Sequence, residues 1–281
     1  MPIDPTLRSA PLDLPIGVFD SGVGGLTVLS ALKAALPGEA FLYLGDTARL
    51  PYGTKSPASV VRYASQCAAL LVARGIKALV VACNTAASAA LPALAARYAG
   101  LPVVGVIEPG ARAAVAASPS GRIAVIATEG TIRAGAYVAA IERLSPAARV
   151  TGIGCSVFVA LAEEGWTTGP IVAAVAHRYL DGAFAGPAAP DTLLLGCTHF
   201  PVLAGALRAA IPPAVTLVDS ARTTAEAVAT RLAAAQLGRP ATAGPGATRL
   251  LATDGPERFA RVGSIFLGHP LTAGDVELVD V

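Results

Sequence analysis

Residues 78–88, ALVVACNTAAS, limit most narrowly what this chain can fold into. An apolar run of strand length meets Cys83, Asn84 and Thr85 at a polar turn and passes into helix-forming alanines. Residues 192–203, TLLLGCTHFPVL, repeat the pattern, with Cys197, Thr198 and His199 at the turn. Short apolar strands, each followed by a turn and a helix, are the units of a parallel α/β sheet. In such sheets ligands bind beyond the carboxyl ends of the strands, so each run carries one thiol and small hydrogen-bonding groups to a sheet edge. A lone buried cysteine usually behaves as a small hydrophobe. Two cysteines, each followed by polar residues at equivalent turns, fit that role less well.

The same unit opens the chain and then recurs. Residues 16–19 form a strand leading to Asp20, Ser21, Gly22, Val23, Gly24 and Gly25 and then to an Ala- and Leu-rich helix. A second strand at 41–44 enters GDTARLPYGTKS, residues 45–56, whose polarity reads either as a solvated turn or as a functional loop beside a rigid sheet. A helix over 57–74 buries Cys67 on its core face. Later, RIAVIATEGTI repeats PIGVFDSGVGG, and a strand at 149–154 leads to Cys155 and SVFVALAEEGW in the place of LYLGDTARLPYG. The second cysteine strand completes the series. Features recurring in order at similar displacements indicate an internal duplication.

The expected fold is therefore α/β, with two pseudo-symmetric lobes, each a mostly parallel sheet flanked by helices, and the active site in the cleft between them. Residues 14–104 plus 216–281 form the lobe of Cys83, residues 105–215 the lobe of Cys197, and residues 1–13 a leader outside the fold. Segments 250–252 and 264–267 read as strand material closing one lobe. Thiols presented by facing lobes approach a ligand from opposite sides. That arrangement suits removal of a proton from one face of a carbon and its return to the other.

Composition removes several alternatives. The 21 basic and 19 acidic side chains nearly balance and form no basic block, which gives no electrostatic case for nucleic acid. The N-terminus has acids and prolines where a secretory signal needs a basic and then an apolar region, which points to the cytoplasm. Residues 78–96 are uncharged, but Asn84, Thr85, Ser88 and Pro92 interrupt them and argue against a membrane span. The four cysteines, Cys67, Cys83, Cys155 and Cys197, lack the close spacing of a zinc knuckle and are expected as free thiols in a reducing compartment. The glycine turn at 20–25 suits a bound carboxylate as well as a phosphate. Thr27 stands where a dinucleotide fingerprint has its third glycine, although Asp46 offers the ribose-binding acid that such a site requires.

The runs FDSGVGGLTVL, GDTARLPYGTKS, ACNTAAS and GCTHFPVL together resemble the glutamate racemases, cofactor-independent members of the aspartate/glutamate racemase superfamily. The resemblance extends from about Ile16 to near the C-terminus. It departs from the family at Ala127, where Gly is commoner, and at Ser156 and Ala160, where Pro is commoner. The resemblance implies interconversion of L- and D-glutamate, the D form feeding peptidoglycan synthesis, in an enzyme that is often a homodimer and uses no cofactor or metal. It assigns Cys83 to D-glutamate and Cys197 to L-glutamate. It gives substrate-contacting or thiol-tuning roles to Asp20, Ser21, Tyr52, Gly53, Asn84, Thr85, Thr128, Thr131, Thr198 and His199. A related aspartate or hydantoin racemase is the nearest alternative.

The chemistry imposes its own requirement. A free thiol titrates near ~8.5, so its surroundings must make it a thiolate at neutral pH. Asp20 beside Cys83, and His199 with Glu163 or Glu164 beside Cys197, are the candidates to manage those protons. None of the three lysines sits in a convincing Schiff-base setting, with Lys55 in the polar loop the nearest to one.

Overall fold

Strands whose every residue is buried must be covered on both faces. In the computed structural model, which describes residues 12–240 and 244–281, β1 (Ile16–Asp20), β2 (Phe41–Gly45) and β3 (Ala78–Val81) are of this kind. Helices α1 (Leu26–Ala35), α2 (Pro57–Ala73) and α3 (Asn84–Arg97) follow them in turn, and β4 (Val103–Gly105) forms an edge. Local chemistry starts these helices. Ser56 caps α2 by accepting from Ser59 N at 3.3 Å with Pro57 in the first turn, and Cys83 Sγ caps α3 by accepting from Ala86 N at 3.5 Å.

After α4 (Ile107–Ala117) the plan repeats. Strand β5 (Arg122–Ala127) leads to α5 (Glu129–Ala134) and α6 (Ala136–Leu144), and β6 (Arg149–Gly154) to α7 (Val157–Glu163) and α8 (Pro170–Leu180). Strand β7 (Thr192–Leu195) leads through a 3-10 turn at Phe200–Leu203 into α9 (Ala204–Ala209), and β8 (Thr216–Asp219) into α10 (Ser220–Ala234). The chain then returns to the first sheet with β9 (Thr248–Ala252), α11 (Pro256–Leu267) and β10 (Val276–Leu278).

Strand order is β10-β9-β2-β1-β3-β4 in the first sheet and β6-β5-β7-β8 in the second, with every pairing parallel. Four strands of each sheet share one plan: the opening strand lies between the second and third, and the fourth lies outside the third. The duplication legible in the sequence is thus a duplication of topology. Helix α10 leaves the second sheet and packs on both α1 and α4, tying the lobes together. Among the described residues no helix is long and apolar enough to cross a membrane.

Some expectations shift. Strand β8 pairs with β7 in the register Leu195↔Asp219, so the second lobe runs through residue 219 and does not stop at 215. This short edge strand is four residues long with a single buried residue. Residues 264–267 are the end of helix α11, not a strand. Its buried Phe259, Ala260, Val262, Gly263 and Phe266 follow helical spacing, which a short apolar run cannot reveal by itself. Of the expected leader, residues 1–11 lie outside the described residues. Residues 12 and 13 belong to the first lobe: the Leu12 carbonyl accepts from Lys77 Nζ at 2.7 Å, and Asp13 pairs with Arg239 at 3.2 Å.

Candidate active site

Because both sheets are parallel, the residues after β1, β3, β5 and β7 all leave carboxyl ends, and they converge on one cavity of about 40 Å³. That is well below the roughly 300–1,000 Å³ typical of ligand pockets, so the two lobes meet closely over it. The lining includes Ser21, Tyr52, Gly53, Cys83, Asn84 and Thr85 from the first lobe. The second lobe supplies Thr128, Thr131, Cys197, Thr198 and His199.

The Cys83 side is dry and acidic. Cys83 Sγ donates to Ser21 Oγ at 3.4 Å and lies at the start of α3, where N–H groups and the helix dipole favour a thiolate. Burial and the neighbouring Asp20 carboxylate outweigh those contacts and push the thiol up to about 12. Asp20 is itself buried, which raises its pKa above the ordinary carboxylate value against the opposing pull of His199. It accepts from Gly22 N at 3.0 Å and, across the cleft, from Thr198 Oγ1 at 3.4 Å.

On the Cys197 side the balance reverses. His199 Nδ1 lies 3.8 Å from Cys197 Sγ, and His199 Nε2 is 3.0 Å from Glu163 Oε1. Burial disfavours a charged ring, but the bonds to Cys197 and Glu163 and the charge of Asp20 prevail and raise it to about 10. Glu163 is partly desolvated, yet His199 and Arg258 hold its pKa below the ordinary value. Of the two adjacent acids only Glu163 enters this network, while Glu164 is exposed at the end of α7. The expected supporting role of Glu164 is accordingly corrected. Gly24 makes room for the arrangement, because a Cβ there would collide with the His199 ring and the Thr198 hydroxyl. This glycine serves a close approach between lobes.

Between the two thiols lie unspent polar groups. Tyr137 Oη donates to Asn84 Oδ1 at 2.7 Å and fixes the amide, while the buried Asn84 Nδ2 has no partner among the described residues. A buried donor left unpaired is costly unless a ligand or water satisfies it. Across the cleft, Thr85 Oγ1 is 3.2 Å from Thr128 Oγ1 and 2.9 Å from Thr131 Oγ1. Gly53 fits against Thr128, where a Cβ would come within 2.9 Å of the threonine side chain. Tyr52 lines the cavity with its ring and bonds Asp46 with its hydroxyl.

The polar loop therefore has an internal purpose. Fully buried Asp46 accepts from Arg49 Nε at 2.8 Å, from Thr253 Oγ1 at 3.0 Å and from Tyr52 Oη. With its oxygens so engaged, Asp46 does not serve as a ribose-binding acid. Lys55 is half-buried and does not line the cavity. Cys67 and Cys155 are core thiols, and burial pushes both up to about 12. Sequence reasoning missed Pro51 and Val159 in the lining, Tyr137 behind Asn84, and Arg258 behind Glu163. The GDTARLPYGTKS and SVFVALAEEGW runs marked the segments that hold Pro51 and Val159, while nothing marked Tyr137 or Arg258.

A family model described as Asp/Glu/Hydantoin racemase matches residues 16–228. The glutamate racemase of Geobacter metallireducens is 52% identical over 266 residues, spanning 95% of this chain and 96% of the relative. The crystal structure of glutamate racemase from Thermus thermophilus in complex with β-chloro-D-alanine is similar with a TM-score of 0.85 at 44% identity, covering 96% of this chain and 98% of the other. That of the Francisella tularensis glutamate racemase in complex with D-glutamate is similar with a TM-score of 0.86 at 34% identity, covering 96% and 98%.

Proposed function

The chain belongs to the Asp/Glu/hydantoin racemase family and is an amino-acid racemase, and from that premise we propose that it interconverts L- and D-glutamate with Cys83 and Cys197 as the paired acid and base. The observation that carries the reading is that two thiols, leaving equivalent strands of two sheets with the same order, line one small cavity. Supply of D-glutamate to peptidoglycan and assembly as a homodimer accompany it as consequences of the family resemblance.

The two halves divide the labour. Burial and Asp20 keep Cys83 a neutral thiol able to donate, while the charged His199 ring faces Cys197, which acts as the base. In one direction Cys197 takes the Cα proton and its S–H bond forms as the C–H bond breaks. The electron pair left on Cα then takes the Cys83 proton on the opposite face, leaving Cys83 as thiolate. The reverse reaction exchanges the roles, as a paired general acid and base requires. Asn84 Nδ2, Ser21 Oγ and the Thr85, Thr128, Thr131 and Thr198 hydroxyls supply the donors that hold carboxylates and the charge that develops as the proton leaves.

The purified chain incubated with L-glutamate in deuterium oxide, with no added cofactor, should yield D-glutamate carrying deuterium at Cα. Absence of both product and exchange in folded, reduced protein would overturn the glutamate assignment. Turnover of aspartate or a hydantoin in the same assay would replace it with the alternative.

His199 also predicts a pH dependence of stability. Its folded value of about 10 lies above the ordinary 6.5, so the charged ring's contribution is full below pH 6.5 and is lost as the pH rises through about 10. The Tm advantage of the native chain over His199→Gln should therefore narrow across that window. A gap that stays constant would show a ring that is neutral throughout.

A further inference from the structure

The Cys197 relay does not end inside its own lobe. Arg258 Nη2, from the first turns of α11 in the first lobe, donates to Glu163 Oε2 at 2.6 Å, while the other oxygen of that carboxylate engages His199. The start of α11 is anchored on the polar loop by Thr253 Oγ1 to Asp46 at 3.0 Å and by Asp254 N to Thr47 Oγ1 at 2.9 Å. Further along the same helix, Phe266 meets the His199 ring edge-on at 5.2 Å between centroids. One helix of the first lobe thus touches two members of the second lobe's relay. The charged and titratable groups facing His199 are Cys197 on its own turn, Asp20 from β1 and Glu163 from α7, with Arg258 behind Glu163. Cys155 and Tyr137 neighbour Cys197.

We propose that Arg258 is a positioning residue for the Cys197 half-site, holding the outer oxygen of Glu163 so that its inner oxygen stays on His199, and doing so from the opposite lobe. It follows that the Cys197–His199–Glu163 relay is complete only while the lobes are closed on each other. A freed Glu163 has a wide choice of solvent-facing rotamers; a charge-assisted bond to a guanidinium removes that freedom. The inference rests on the two-thiol reading above.

The test compares the native chain with Arg258→Met and Arg258→Lys, and with Arg261→Met as a control from an exposed position on the same helix. Rates and primary isotope effects on kcat/KM are measured with α-deuterated L- and D-glutamate. Arg258→Met should lower kcat by a few-fold up to about tenfold, because the Arg258 side chain is 47% exposed and the pair is partly screened by solvent. Its isotope effect should rise for the enantiomer deprotonated by Cys197 and fall for the other, because proton transfer at Cys197 becomes the slower step. Arg258→Lys should recover part of the loss, and Arg261→Met should match the native chain. Native-like kinetics in Arg258→Met, or a loss that leaves the two isotope effects in their native ratio, would overturn the proposal. If Cys83→Ser and Cys197→Ser themselves kept turning over, the two-thiol reading would be what had failed.

Discussion

Cys83→Ser and Cys197→Ser should each lower kcat for racemisation by at least about a hundredfold, the lower end of what a positioned acid or base contributes. Serine is close in shape and can still accept from Ala86 N at the start of α3 or face the His199 ring, so the fold should persist. Its hydroxyl, however, ionises far less readily than a thiol, and neither the helix terminus nor the imidazolium closes that difference. The two variants should also differ in kind. Each keeps one competent thiol, so residual exchange of the Cα proton with solvent should be confined to one enantiomer, and to opposite enantiomers in the two proteins. The assay is proton NMR of each enantiomer in deuterium oxide, with Tm measured alongside. Near-native turnover in either serine variant would rule out the two-base mechanism.

The reactive half of this molecule was legible because its signals are local. A strand, a turn and a helix lie within about a dozen residues, so the sequence ALVVACNTAAS by itself states where Cys83 goes, and TLLLGCTHFPVL does the same for Cys197. Repetition of the unit then foretold two similar lobes. What escaped depends on long-range meetings. Arg258 sits in PERFAR, an ordinary amphipathic stretch, and its partner Glu163 is 95 residues away. Tyr137 is likewise 53 residues from Asn84. Glu163 and Glu164 were inseparable in sequence because neighbours on a helix point about 100° apart, and only the packing of α7 against the 3-10 turn at Phe200–Leu203 decides which of them meets His199. Gly24 shows the same limit. Glycines in a turn suggested an anion cradle, whereas this one is needed because the other lobe's histidine occupies the space. Strand β8 is short and its apolar run does not reveal which of the two sheets it joins, so the lobe boundary could not be placed from it.

Lys77→Met should destabilise the fold by about 3–5 kcal/mol, the usual cost of removing one partner from a buried ion pair. Lysine is almost never fully buried unless paired, and the Lys77 side chain is 0% exposed with Nζ 2.5 Å from Glu39 Oε2, itself on a side chain only 3% exposed. The pair lies at the amino-terminal edge of the first sheet, since Lys77 immediately precedes β3 and its N–H donates to the Pro15 carbonyl just before β1. Nζ also donates to the Leu12 carbonyl at 2.7 Å, and Glu39 Oε1 accepts from Arg239 N at 2.8 Å, so one pair ties together four separate segments of chain. Methionine fills similar volume without charge, so the expected loss comes from the carboxylate left buried opposite it and not from a cavity. The double variant Lys77→Met with Glu39→Leu should consequently recover much of the loss, because an apolar pair removes the stranded charge. Urea unfolding followed by far-UV circular dichroism measures both changes. The site occupies the opposite, carboxyl-terminal edge of the same sheet, so kcat per folded molecule should be unaltered. A Lys77→Met change below about 1 kcal/mol would mean that Glu39 takes up a proton at little cost and that the pair is not what secures this edge.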